Sequence, residues 1–302
     1  MFRSLFLFDV TFWLYLAAVC LYFGYILASR PVLQTAAAGH PTDLAEDSGW
    51  AEPLGQLATG VTLFGLVVNG VALGTRAYER MQLSGTFAPW SNQFEAMSYV
   101  SFAIIAGYLL LELKYKIKSI GVFVVSLGFI AMGAASLLPY RYQTAEPLVP
   151  ALNSYWIYIH VSITLTSYAA FAMAGGLGVM YLLKERAERR GKTTGFYAVL
   201  PSLEKIDELG YKAVMIGFPL LAFGVILGAM WANYAWGGYW SWDPKETWSL
   251  IVWLIYGAYV HARMNRGWEG HRAATYQVFG FLMVIFCFWG VNFLLSGLHA
   301  YA

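Results

Sequence analysis

Long apolar runs alternate with short polar ones along this chain, at a spacing far wider than a strand or a surface helix would need. The apolar runs lie near residues 10 to 30, 56 to 75, 93 to 112, 118 to 138, 154 to 183, 211 to 235, 245 to 263 and 272 to 298, each bounded by charged or turn-forming residues. A helix needs about 20 such residues to cross a bilayer, and inside a bilayer its backbone bonds must close within the segment. The pattern therefore predicts an all-α, polytopic integral membrane protein of about eight transmembrane helices, with residues 1–302 forming a single membrane domain. The fifth and eighth runs are the longest, which predicts that part of each protrudes or tilts. No internal repeat or low-complexity linker divides the chain.

Composition sharpens this picture. Of the 302 residues 59% are hydrophobic and 12% charged, and the mean hydropathy is +0.55. No soluble core encloses that much apolar surface, so a water-soluble domain is excluded. The stretch from Val10 to Ala28 runs into Ser29-Arg30-Pro31 without a small-residue cleavage signal and reads as a retained first helix. Cys20 and Cys287 lie within apolar runs and are expected to fill the core rather than to form a disulfide or a metal site.

Basic residues set the expected orientation, because short cytoplasmic loops keep them. With the N-terminus outside, 14 of the 19 Lys and Arg residues fall on the inner side: Arg30, Lys114, Lys116, Lys118, Lys184, Arg186, Arg189, Arg190, Lys192, Lys205, Lys212, Arg263, Arg266 and Arg272. Arg3, Arg76, Arg80, Arg141 and Lys245 fall outside. The net charge of +2 thus reflects topology and offers nothing to nucleic acid.

The stretch from Trp236 to Trp248, W-G-G-Y-W-S-W-D-P-K-E-T-W, then lies on the outer face, at the mouth of the seventh helix. Four tryptophans and a tyrosine this dense, with paired glycines between them, match neither a helical stripe nor an alternating strand. Part of the run has a structural explanation. Asp243 at the N-cap, Pro244 at the first helical position and Glu246 at the third form a capping box. Trp248 and Trp253, inside the helix, suit packing or the interfacial belt. Trp236, Tyr239, Trp240 and Trp242 remain as candidates to hold a flat apolar ligand, which Gly237 and Gly238 allow the backbone to approach. Residues 236–250 are the expected binding loop and start of the following helix.

Three of the five histidines fall at informative depths. His160 lies 24 residues before Lys184, about 36 Å of helix, and so reaches the outer interface. His299 lies 27 residues after Arg272, about 40 Å, and reaches the same face. His261 lies 18 residues after Asp243, about 27 Å, near the inner end of its helix. His40 and His271 sit in polar inner turns and read as solvated surface. Two outer imidazoles beside an aromatic loop make a site for a flat apolar disc with two axial metal positions, the description of haem.

The run from Trp236 to Leu250, continuing through Trp253-Leu-Ile-Tyr256 to His261-Ala-Arg263, resembles the tryptophan-rich WWD signature of haem-handling proteins, most closely the CcsA/ResC type of cytochrome c maturation protein. Leu148-Val-Pro-Ala-Leu-Asn-Ser154, with Trp156 and His160-Val161, is similar to the family segment carrying its first external histidine. Gly85-Thr-Phe-Ala-Pro89-Trp-Ser-Asn92-Gln-Phe-Glu95 resembles the family's S-N-x-Y-E motif, with Phe94 in place of tyrosine and Thr86 where many members have histidine. The likeness spans about Arg76 to His299.

What the resemblance implies is specific. His160 and His299 would flank the WWD loop, with Asp243 part of it, and ligate a b-type haem on the outer face. His261 would be the transmembrane histidine meeting haem on its way from the cytoplasm, with Arg263 foremost among residues pairing with the propionates. A CcsB/ResB-type membrane partner would share the work, and the pair, as a haem lyase (synthase) complex, would present haem to Cys-x-x-Cys-His of an apocytochrome c. The setting would be the bacterial inner membrane. The alternatives are a haem exporter or chaperone of the other, CcmC/CcmF-like pathway, and a membrane b-type cytochrome. The latter would want a histidine pair in each leaflet, whereas this chain offers an outer pair and a lone inner histidine.

Overall fold

The computed structural model describes residues 3–37, 49–148 and 153–297, residues 30–37 by their backbone alone. Its elements are the helices α1 (Arg3–Ala37), α2 (Ala51–Ser84), α3 (Gln93–Tyr115), α4 (Gly121–Ser136), α5 (Tyr140–Gln143), α6 (Ser162–Glu188), α7 (Phe196–Val199), α8 (Leu203–Trp236), α9 (Pro244–Arg266), α10 (His271–Ile285) and α11 (Val291–Leu294). A short 3₁₀ turn, Lys118–Ile120, precedes α4, and π-helical turns precede α6 (Ile157–Val161) and α11 (Phe286–Gly290). No strand occurs among the described residues.

Seven helical stretches are long and apolar enough to cross a membrane, so the chain is a multi-pass, all-α membrane protein. The seventh expected span, α9, stands apart: its 23 residues would suffice in length, yet it carries Lys245, Glu246, Arg263 and Arg266. Several spans exceed their apolar cores. α1, α2 and α8 reach 35, 34 and 34 residues and are the longest helices, in place of the fifth and eighth.

The extension of α2 has a chemical reason. Arg76 and Arg80, expected in an outer loop, lie within the helix and are buried. The carboxylate of Glu95 accepts from Arg80 Nε (3.1 Å) and Nη2 (2.9 Å), while Arg76 Nη2 donates to the Gln143 carbonyl (2.8 Å) and Arg80 Nη1 to that of Glu146. Charges this deep persist only when paired and hydrogen-bonded.

Local signals set the helix ends near the later site. α2 stops at Gly85, whose φ of 73° suits glycine. α3 starts under Asn92, whose side chain accepts from Glu95 N (2.9 Å). α8 ends at Gly237, φ 78°, with its N–H on Asn233 O. α9 opens with the expected capping box: Lys245 N donates to Asp243 Oδ2 (3.0 Å), and Asp243 N to Glu246 Oε2 (3.2 Å).

Packing places α6 at the centre, against α3, α4, α8 and α10. In its most apolar window 78% of residues are buried, against 28% for α8 and the α10–α11 stretch. Small residues make this possible. A Cβ on Gly178 would sit 2.8 Å from the Ala274 carbonyl, and one on Gly175 2.6 Å from Phe281. Lipid offers no hydrophobic gain for helix association, so backbones must approach closely to profit from dispersion. Of the two cysteines, Cys287 is buried as expected, but Cys20 is exposed on the flank of α1, since that helix turns its other face to α2 and α4.

Candidate functional site

At one end of the bundle five stretches of chain meet around a cavity of about 200 Å³, within about 1260 Å³ of empty space that includes its mouth. Trp90 to Asn92 contribute from the loop before α3 and Gln93 from its first position, His160 from the π-helical turn before α6 and Thr164 from the head of α6, and Gly228, Trp231 and Ala232 from α8. Trp236 and Trp240 of the WWD stretch, Lys245 at the start of α9, and Phe288 and Asn292 near the C-terminus close it. Each motif singled out in the sequence thus has residues in one wall.

His160 sits in the π-helical turn, a widened turn that re-aims side chains and recurs at functional sites. Its Nδ1 lies 2.8 Å from the Gly224 carbonyl. A carbonyl only accepts, so Nδ1 carries the proton and the lone pair of the neutral ring is on Nε2. The ring packs edge-on to Trp231, centroids 5.7 Å apart. Gly228 makes room for it: a Cβ there would stand 2.7 Å from His160 Cε1.

The S-N-x-F-E segment is tied to the same turn. Glu95 Oε2 accepts from Ser91 N and Oγ (both 2.9 Å), Trp90 Nε1 donates to the Ile157 carbonyl (3.0 Å), and Phe87 N donates to Tyr158 Oη (2.6 Å). Phe94 is buried edge-to-face on Phe8, centroids 5.1 Å apart. The buried arginine pair on Glu95 therefore also fixes this side of the cavity.

The aromatic loop divides into wall and rim. Trp236 and Trp240 face the cavity, whereas Tyr239 and Trp242 are 61% and 70% exposed. Trp242 has a φ of 60°, a conformation costly for a bulky side chain, and stands edge-on to Trp240 with centroids 5.7 Å apart. Gly237 serves first to end α8, and Asp243 is the buried N-cap of α9, outside the residues that line the cavity. His299 lies outside the described residues, as does His40. Gly297, two residues before His299, packs so tightly on Asp243 that a Cβ there would run into Asp243 Oδ1.

Nothing in the sequence pattern singled out Lys245, Asn292 or Gln93. Lys245 Nζ donates to the carbonyls of Cys287 (2.9 Å) and Phe288 (3.3 Å) and to Asn292 Oδ1 (2.8 Å), and Asn292 Nδ2 donates to Gln93 Oε1 (2.8 Å). Three N–H groups on the wall residues, Gln93 Nε2, Trp231 Nε1 and Trp240 Nε1, are buried without a partner among the described residues.

His261 occupies the opposite end of α9, near the starts of α8 and α10. The hollow beside it, about 470 Å³, is walled by Trp253, Leu254, Gly257, Ala258, His261, Ala262, Arg266 and Trp268, all from α9 or the turn after it. Asn265 Nδ2 lies 3.1 Å from His261 Nδ1. Arg263, expected to meet propionates, is engaged elsewhere: it pairs with both oxygens of Asp207 (2.9 and 2.5 Å) and donates to the Trp268 carbonyl (3.0 Å). Arg266 is the basic residue that lines the hollow. His271 pairs with Glu185 (2.6 Å) at the same end.

The family profile described as "Cytochrome C assembly protein" matches residues 90–299. The chain belongs to that family. Cytochrome c biogenesis protein CcsA of Guillardia theta is 39% identical over 258 residues, covering 80% of this chain and 84% of that one. The protein of the same name from Parasynechococcus marenigrum (strain WH8102) is 37% identical over 268 residues, 82% and 88% of the two chains. That from Microcystis aeruginosa (strain NIES-843 / IAM M-2473) is 36% identical over 290 residues, 81% and 86%. Among solved structures, Cytochrome c Heme Lyase CcmF superposes with a TM-score of 0.62 at 16% identity, over 94% of this chain and 46% of that longer one, a likeness of fold. The chain is accordingly a CcsA-type member whose role lies in cytochrome c maturation.

Proposed function

We propose that this chain receives haem at the His261 end, holds it at the His160 end through His160 and His299, and presents it there for attachment to Cys-x-x-Cys-His of apocytochrome c. The observation that carries this reading is His160 itself. A half-buried imidazole in a π-helical turn, its Nδ1 on a backbone carbonyl, faces a cavity rimmed by tryptophans. An anchored Nδ1–H is the arrangement that fixes and strengthens Nε2 as a metal ligand.

The remaining chemistry of the cavity suits haem as cargo. Trp236 and Trp240 offer apolar faces to a porphyrin, and the N–H groups of Gln93, Trp231 and Trp240, without a partner among the described residues, suit its carboxylates. Exposed Tyr239 and Trp242 would cover an edge while leaving room for an incoming thiol. At the other end, a hollow walled by one helix and its following turn is half of a site. A CcsB/ResB-type membrane protein supplying the opposing wall and the second axial ligand would complete it. The WWD loop is on the outer side of a bacterial inner membrane in this reading.

The test is an absorption spectrum of the full chain purified from membranes, alone and with its partner. A six-coordinate haem signal that loses one ligand in His160→Gly supports the assignment, and a spectrum unchanged by that substitution overturns it. Sidedness is checked by reporter fusions after residue 190, expected inside, and near residue 145, expected outside.

A further inference from the structure

Lys245 invites a simple guess, a cation in the wall of a haem pocket waiting for a propionate. Its geometry argues otherwise. An ammonium has three N–H bonds, and all three are used by protein acceptors: the carbonyls of Cys287 and Phe288, and Asn292 Oδ1. Two of these acceptors belong to the π-helical turn Phe286–Gly290, where the change of helical register disturbs the regular bonding of the preceding helix. The third, Asn292, passes the link to Gln93 at the head of α3. A positive charge against late carbonyls of a helical stretch is also favourable to the dipole. The same first turn of α9 holds the chain again further on, where Gly297 packs against Asp243 and Pro244.

We propose that Lys245 is a positioning residue: its ammonium locks the C-terminal segment Phe286–Gly297 onto the first turn of α9 and, through Asn292, onto the Trp90–Gln93 loop. The lock sets the wall of the outer cavity. This inference rests on the reading above, in which His299, two residues beyond Gly297, is the second axial ligand. The WWD stretch then has a second task besides offering aromatic faces, since the Lys of its Asp-Pro-Lys-Glu run fixes the far end of the chain.

The decisive variant is Lys245→Met, which keeps the length of the side chain and removes all three donors. Two readouts are taken on the full chain purified from membranes. Without haem, hydrogen exchange over Phe286–Gly297 rises in Lys245→Met while α6 and the Ile157–Val161 turn stay protected. With haem, the spectrum moves from six-coordinate towards five-coordinate, retained haem falls about tenfold, and added imidazole restores the six-coordinate spectrum. Asn292→Leu, which leaves two of the three acceptors, gives a weaker change of the same kind and serves if Lys245→Met does not accumulate. His299→Gly is measured in parallel. If His299→Gly alters the spectrum and imidazole repairs it while Lys245→Met and Asn292→Leu match the unmodified chain in exchange and spectrum, the positioning role is overturned. If His299→Gly itself leaves the spectrum unchanged, the ligand assignment falls, and the exchange measurement alone then decides whether the lock exists.

Discussion

The cavity that half-buried His160 lines is built from five stretches of chain, whereas the hollow beside His261 is walled by one helix and its turn. The difference extends to the rings. A carbonyl acceptor at Nδ1 sets His160 with its lone pair on Nε2. At His261 the neighbour is the amide nitrogen of Asn265, which donates to Nδ1 and so leaves the ring proton on Nε2 of the neutral form. Under the proposed function the first imidazole would offer Nε2 to iron from the wall of a cavity built by several elements. The second would have to shift its proton or its neighbour to do the same, and among the described residues its hollow is walled only by α9 and the turn after it. A holding site and a receiving site would differ in this way: the first gains from preorganisation, while the second must give its cargo up.

The largest effect that could break this comparison is expected at the finished site. His160→Gly or His299→Gly lowers cytochrome c assembly about 100-fold or more, beyond the usual cost of disturbing an outer-shell group, and imidazole restores part of it. A double substitution that still assembles cytochrome c normally would falsify the outer assignment. Next comes the receiving site. His261→Ala, purified with the partner protein, loses haem even though His160 and His299 are intact, whereas a mere helix-terminus role predicts modest instability and unchanged loading.

Two smaller changes sharpen the contrast. Gly228→Ala places a Cβ 2.7 Å from His160 Cε1, so the ring must shift by tenths of an ångström. Haem retention at the outer site should fall within about tenfold, with the spectrum altered and loading at the other end untouched. Asn265→Asp should do the reverse at His261. A carboxylate accepts from Nδ1–H, moves the lone pair to Nε2, and raises haem captured by the partner-bound complex roughly severalfold. A fall in capture would show that Asn265 supports the ligand as it stands.

Much of this arrangement was legible in the chain. Counting helical rise from Lys184 and from Asp243 placed His160 and His261 at opposite ends, where the fold has them, because a transmembrane helix is a straight and regular spacer. The capping box at Asp243 and Glu246 was readable because it is local. What escaped depended on distant partners. Arg76 and Arg80 looked like loop residues until Glu95, 15 residues beyond Arg80, is seen to neutralise them inside the protein. Lys245 read as an outer basic residue, and its acceptors lie more than 40 positions away. The two π-helical turns have no sequence signature of their own. The exposure of Cys20 was hidden because an apolar run looks alike whether it faces lipid or protein.

Both histidine sites border α9, which bears on how many haems the proposed pathway could hold. On that helix Lys245, in the wall of the outer cavity, and His261 stand 16 residues apart, about 24 Å at about 1.5 Å per residue, farther than one porphyrin ring reaches. Under the proposed function the two sites could therefore be filled at once. In the proposed reading, one haem could wait at the receiving end while another is consumed at the far end.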